Sequence, residues 1–228
     1  YGLISNDGAW LFVDEEKISE EVEAHLSGNE IGIKGYEDVI DYIKSIKPGS
    51  RIFLDPSRIN RWLYSGIPEG CQIVEGINIT TEMKAIKNET EIRNQRNAYI
   101  KDGVALTRFL YWLDKNVGNM KITEISAAER LEEFRREQEG FIEPSFDTIA
   151  AYKENAAMMH YSADDDSNYE LKREGLFLVD SGGQYYDGTT DITRTIVLGE
   201  ITEEEKRDYT LTLKGHINLI NARFLYGV

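Results

Sequence analysis

Two aspartates, Asp180 and Asp191, carry the strongest chemical signal in the chain. Leu176 to Val179 reads as a buried-type strand that runs into Asp180, and a second strand follows from Thr189 to Leu198. Strand side chains alternate, so Asp191 shares a face with Thr193, Thr195 and Val197, while Ile192, Arg194, Ile196 and Leu198 take the other. As antiparallel neighbours, the two strands bring both carboxylates to one pocket. Carboxylates at close range repel unless one is protonated or a cation lies between them. All-oxygen ligands suit a hard divalent ion such as magnesium, calcium or manganese. A plainer role also fits, because an Asp at a strand end beside Ser181-Gly182-Gly183 commonly forms a turn. Spacing leaves both readings open.

The other candidates are weaker on their own residues. Met158 and His160 alternate with Met159 and Tyr161 across Ala156–Tyr161, the pattern of a half-buried strand. Asp164-Asp165-Asp166 lacks the glycine and distal Glu of a calcium-binding loop and reads as solvated. No helix follows Gly182-Gly183, so these glycines, with Asp187-Gly188, read as tight turns and not as a phosphate cradle. His216 shares a helical face with Tyr209, Leu213, Ile217 and Ile220 and is expected in a core, whereas His25 is expected at the surface. Phe146 and Tyr152 are aromatics on a strand and read as core. Cys71 has no activating neighbour and is expected to pack.

The elements that must position these groups fall into two textures. Gly2 to Ser5 and Trp10 to Val13 form a hairpin around Asn6-Asp7-Gly8. Tyr36, Val39, Ile40 and Ile43 mark an amphipathic helix that stops at Pro48-Gly49. Arg51–Leu54 and Gln72–Val74 read as strands around a helical stretch from Ser57 to Tyr64, giving a small α/β domain with a mixed sheet. Beyond residues 80 to 86, Asn88-Glu89-Thr90-Glu91 starts a long helix with the stripe Leu106, Phe109, Leu110, Leu113 and Val117. Thr123 caps a second helix that buries Ala127, Leu131 and Phe134 and leaves the charged run Glu132–Glu139 outside. Strands at Phe146–Tyr152, Ala156–Tyr161, Gly175–Asp180 and Thr189–Leu198 precede a last helix capped by Thr202.

Composition bounds the function classes. The 228 residues carry 26 Lys+Arg against 41 Asp+Glu, a formal charge of −15, so binding to a nucleic-acid backbone is disfavoured. A hydrophobic share of 41% supports a packed core. No apolar run reaches the roughly 18 residues of a membrane span. With Cys71 alone, no internal disulfide or cysteine zinc cluster can form, which suits a reducing cytoplasm. Tyr1-Gly2-Leu3-Ile4 has no leader pattern, and the chain, opening without Met and stopping after an apparent helix, reads as a piece of a longer polypeptide.

Asp180-Ser-Gly-Gly-Gln-Tyr-Tyr-Asp-Gly-Thr-Thr-Asp191-Ile-Thr-Arg-Thr195 resembles the first metal-ligand segment of the Xaa-Pro aminopeptidases (aminopeptidase P), a branch of the pita-bread metallopeptidases. The resemblance extends to Asn155-Ala-Ala-Met-Met-His160-Tyr161, to Thr123-Glu-Ile-Ser-Ala-Ala128 with Glu133-Phe-Arg-Arg136, and to Leu213-Lys-Gly-His216. It implies an α/β (α+β) chain: a creatinase-like middle domain over residues 1–82 and the N-terminal half of a pita-bread catalytic domain over 83–228. It further implies that Asp180 binds one metal and Asp191 bridges two, usually manganese, and that His160 contacts the substrate near the scissile bond. The implied reaction releases the N-terminal residue from peptides with proline second. The whole protein is then a cytoplasmic homodimer that binds neither nucleic acid nor membrane.

The departures matter equally. The family completes its site with one His and two Glu from the second half of the pita-bread domain, and none of that half follows Val228. Ligand number sets affinity at carboxylate sites, so this chain is expected to bind metal weakly and to lack peptidase activity by itself. Lys153-Glu154 replaces residues that are often small in the family. Two rival readings are a prolidase-type dipeptidase and a noncatalytic pita-bread binding module. The joint retention of Asp180, Asp191 and His160 counts against the latter.

Overall fold

In the computed structural model, which describes residues 1–225, the chain divides into two compact units, Tyr1–Lys87 and Asn88–Val228. In the first, a two-residue turn at Asn6-Asp7 joins β1 (Gly2–Ser5) to β2 (Gly8–Val13) with Leu3 opposite Trp10, the hairpin that the turn residues specify. Ser19 then caps α1 (Glu20–Gly28), whose return strand β3 (Ile31–Gly35) pairs parallel with β2. Helix α2 (Asp38–Lys44) lays Val39 and Ile43 against Phe12 and Leu63 to make a small core.

Strand β4 (Arg51–Leu54) is separated from its parallel partner β5 (Gln72–Glu75) by α3 (Arg61–Ser65). The expected helix from Ser57 is thus much shorter. Asp55 folds Ser57 back through its carboxylate, and Asn60 caps the Leu63 N–H at 2.8 Å, which fixes a later start. Helix α4 (Ile79–Ala85) ends this unit, which contains a three-stranded mixed sheet and a separate β4–β5 pair.

The second unit opens on α5 (Glu89–Asn116), started by the capping box of Asn88 and Glu91, and α6 (Glu124–Arg136), started by Thr123 and Ser126. Phe109 and Leu113 of α5 pack with Ala127 and Leu131 of α6. Onto this pair closes a sheet in which β8 (Leu176–Ser181) lies between β7 (Ile149–Tyr152) and β11 (Ile192–Val197), both antiparallel to it. Phe177 and Val179 enter the core, so Leu178 and Asp180 point the other way. A second sheet orders β10 (Gly188–Thr189), β9 (Gly183–Tyr185) and β6 (Phe141–Pro144).

Several expectations are corrected. Ala156–Tyr161 is not a strand: Lys153–Ala157 forms a 3-10 helix, followed by a turn through His160. The alternating Met-Met-His-Tyr pattern imitates a strand, but Asn155 is drawn into the interior, and Lys153 and His160 take left-handed backbone at φ 51° and 58°. The strand expected from Phe146 begins at Ile149. Within the charged run Glu132–Glu139, Arg135 is buried. Helix α7 (Glu203–Asn221) has its Thr202 capping box, yet every residue from Lys206 to Asn221 is exposed, His216 included. Its apolar stripe meets no partner among the described residues, so His216 is not in a core.

Gly182 is a close-packing position and not a turn. Its backbone continues β8 towards β9, and a β-carbon there would overlap the Thr190 carbonyl and the Ser145 hydroxyl. The Ser145 hydroxyl donates to that carbonyl at 2.9 Å, and the Thr190 hydroxyl accepts from the Gly183 N–H at 2.9 Å. Gly182→Ala should therefore lower stability by about 1–3 kcal/mol through overpacking, measured as a drop in the urea midpoint with an unchanged slope.

Candidate metal centre

Asp180 lies within the β8–β11 ladder, and Asp191 lies just outside it. Asp180 is the fifth residue of β8 and sits directly opposite Thr193 of β11, whose hydroxyl donates to Asp180 Oδ1 at 2.8 Å. Asp191 immediately precedes β11 and is exposed. The ladder ends at Ile192 opposite Ser181, so Asp191 lies one residue beyond it and two positions from Thr193. Thr193 occupies one lone pair of Asp180 and leaves the second oxygen free of side-chain donors among the described residues.

The core side of the same strand end is held by charge. Ser181, next to Asp180, is fully buried and accepts from Arg135 Nη2 at 3.0 Å. Arg135 grips Asp102 with both arms, Nε to Oδ1 at 2.7 Å and Nη2 to Oδ2 at 3.2 Å, and both residues are 1% exposed. The Tyr185 hydroxyl adds a third donor to Asp102 at 3.1 Å. One ion pair thus joins α5 and α6 to the β8–β9 corner. Burial pushes the Tyr185 phenol far above the usual tyrosine range, with the Asp102 charge reinforcing it.

Helix α5 also fixes the segment that leads into Asp191. Gln95 donates to the Thr189 carbonyl at 2.5 Å, the Tyr99 hydroxyl donates to the Asp191 carbonyl at 3.4 Å, and Lys101 pairs with Asp187 at 2.6 Å. Gln95, Tyr99 and Asp102 recur at i, i+4 and i+7, one face of the helix. His160 stands apart: it is exposed at the turn after the 3-10 helix and shares no hydrogen bond with Asp180 or Asp191.

As a donor set, two carboxylates at one end of a strand pair fit a hard divalent cation. No group of three or more His, Cys, Asp or Glu is placed to hold a metal among the described residues.

Residues 93–228 match the model of metallopeptidase family M24. The chain belongs to that family. Residues 1–91 match the creatinase/prolidase N-terminal domain, so the chain joins a creatinase-like domain to part of an M24 pita-bread domain. Xaa-Pro aminopeptidase 1 of Dictyostelium discoideum is 40% identical over 229 residues, covering 98% of this chain and 36% of that protein. Aminopeptidase P2 of Arabidopsis thaliana is 35% identical over 257 residues, covering all of this chain and 36% of that protein. In three dimensions the chain is similar to X-prolyl aminopeptidase of Caenorhabditis elegans, described as a cytosolic enzyme with a di-nuclear active site. The TM-score is 0.87 at 33% identity, covering 99% of this chain and 38% of that one. The M24 chain thus spans little more than a third of the length of these relatives. No helix among the described residues is long and apolar enough to cross a membrane.

Asp102 and Arg135 were not legible as site supports. Each sits on a helix among other charges, and only the apolar stripes around them hint that one polar residue per helix turns inward. Gln95 and Tyr99 carry no sequence signal at all.

Two outcomes follow from the buried pair. Asp102→Ala strands the Arg135 charge and should cost about 3–5 kcal/mol, visible as a large fall in thermal midpoint. Tyr185 in the unfolded chain titrates near about pH 10. Its raised native pKa therefore contributes stability that is fully present below that pH and is lost as pH rises above it. Denaturant midpoints taken on both sides of that pH should show this alkaline loss, and Tyr185→Phe should remove its share.

Proposed function

We propose that the whole protein removes the N-terminal residue from peptides with proline in second position, in the cytosol, with two divalent ions, manganese by preference. What supports this reading is the pairing of β8 with β11, with Asp180 inside the pair and Asp191 directly before it, in a chain aligned along its length with Xaa-Pro aminopeptidases. Asp180 and Asp191 would be this chain's ligands to those ions. Ions held there supply Lewis acidity towards the scissile carbonyl and an activated water.

The chain's own residues set the geometry of that chemistry. Thr193 fixes the rotation of the Asp180 carboxylate, and the Arg135–Asp102 pair holds the strand end beneath it. Tyr99 and Gln95 hold the approach to Asp191. His160 reaches the substrate beside the scissile bond. Proline in second position removes the amide N–H and fixes φ, so the substrate is recognised by shape and not by a strand-like backbone bond. The homodimer expected for the family belongs to the same proposal.

Asp191→Asn in the whole protein should keep the fold and reduce hydrolysis of an Xaa-Pro-Xaa tripeptide by more than the roughly 10–100-fold typical of residues behind a metal ligand. Full retained turnover would sink the assignment. Cleavage of Xaa-Pro dipeptides but not tripeptides would move the protein to the prolidase reading. For the 228-residue chain alone, calorimetric titration with manganese should give weak binding, and tight stoichiometric binding would contradict the two-ligand account.

A further inference from the structure

Glu124 is the most deeply buried carboxylate with no cation beside it. It is the first residue of α6, is 0% exposed, and has no salt-bridge partner among the described residues. Its charge is met by the α6 N-terminal dipole and by hydrogen bonds alone. The Tyr152 N–H donates at 2.6 Å, the Asn155 amide at 3.1 and 3.2 Å, the Tyr161 hydroxyl at 2.8 Å and the Tyr169 N–H at 2.9 Å.

The positions of those donors give the carboxylate a purpose. Tyr152 enters the 3-10 turn, Asn155 lies inside it, and Tyr161 directly follows His160. Asn155 and Tyr161 also lie 3.0 Å apart, and the Ser167 carbonyl, 3.2 and 2.8 Å from them, is an alternative acceptor for the same protons. Between these anchors the backbone is strained at both ends, at Lys153 and His160, where non-glycine residues adopt left-handed φ. Such conformations persist only where the surroundings over-determine them. Here the surroundings are Glu124 and the groups it gathers.

We infer that Glu124 is a positioning residue: through Tyr161 and Asn155 it fixes the left-handed turn from which His160 projects. The inference rests on the substrate role of His160 for its consequence in turnover, but not for the anchoring itself. Asp180 and Asp191 use carboxylates facing solvent, whereas Glu124 uses one that never meets it.

The test has two arms. In the 228-residue chain, Tyr161→Phe removes one hydroxyl beside His160. It should lower the NMR backbone order parameter at His160 while leaving Val179 unchanged, with Glu124→Gln giving a larger drop. Because Glu124→Gln can fail to fold, Tyr161→Phe decides this arm, and an unchanged His160 order parameter overturns the inference. In the whole protein, Tyr161→Phe should reduce kcat/KM for an Xaa-Pro-Xaa tripeptide by roughly tenfold to a hundredfold, the cost of a misplaced group. In a His160→Ala background the same substitution should have no further effect, since it acts through His160. Equal losses in both backgrounds overturn the inference. A lowered order parameter with unchanged turnover, in a protein where His160→Ala is also silent, upholds the anchoring and overturns the substrate role of His160.

Discussion

The bidentate pair between Arg135 and Asp102 is the constraint on which the second unit depends. It closes a contact across 33 residues of chain between α5 and α6 and delivers a further guanidinium bond to Ser181. Burying both charges costs several kcal/mol each before their attraction is counted, so such pairs survive where geometry and extra donors are complete. Tyr185 and Ser181 supply that completion. The outcome is less a gain in stability than a fixed location for the end of β8, and hence for Asp180. An apolar substitute could fill the space, but it would not specify where the strand stops.

Three kinds of carboxylate therefore coexist within the second unit. Asp102 is neutralised by a cation, Glu124 by neutral donors and a helix end, and Asp180 is steadied at one oxygen by a threonine hydroxyl. Only the last keeps an oxygen directed away from the interior. The first two are scaffolding for the third and for the His160 turn. A chain with 41 acidic residues thus hides two of its most consequential ones among many solvated neighbours.

What the sequence disclosed follows the same division. Helix starts at Asn88, Thr123 and Thr202 were readable because caps act locally, through side chains three residues from the groups they satisfy. The β8–β11 ladder was readable because alternation and turn residues bracket it. Arg135 was misread as solvated, since a charge on a helix declares its partner only when the other helix is in place. The His160 segment was misread as a strand because its alternation of residue types is real, while the buried Glu124 that bends it lies 36 positions away. His216 failed differently: its stripe is amphipathic as expected, but no described part of the chain covers it.

The register of β8 against β11 has an implication for how this segment can change in length. Asp180 faces outward because Phe177 and Val179 of its own strand enter the core, and it meets Thr193 because the two strands pair in this register. A one-residue slip of β11 against β8 would move Thr193 to the other face, whereas a length change in the connection through β9 and β10 that keeps the pairing would leave both sides as they are. The constraint on length therefore lies within the two strands and not in the segment that joins them.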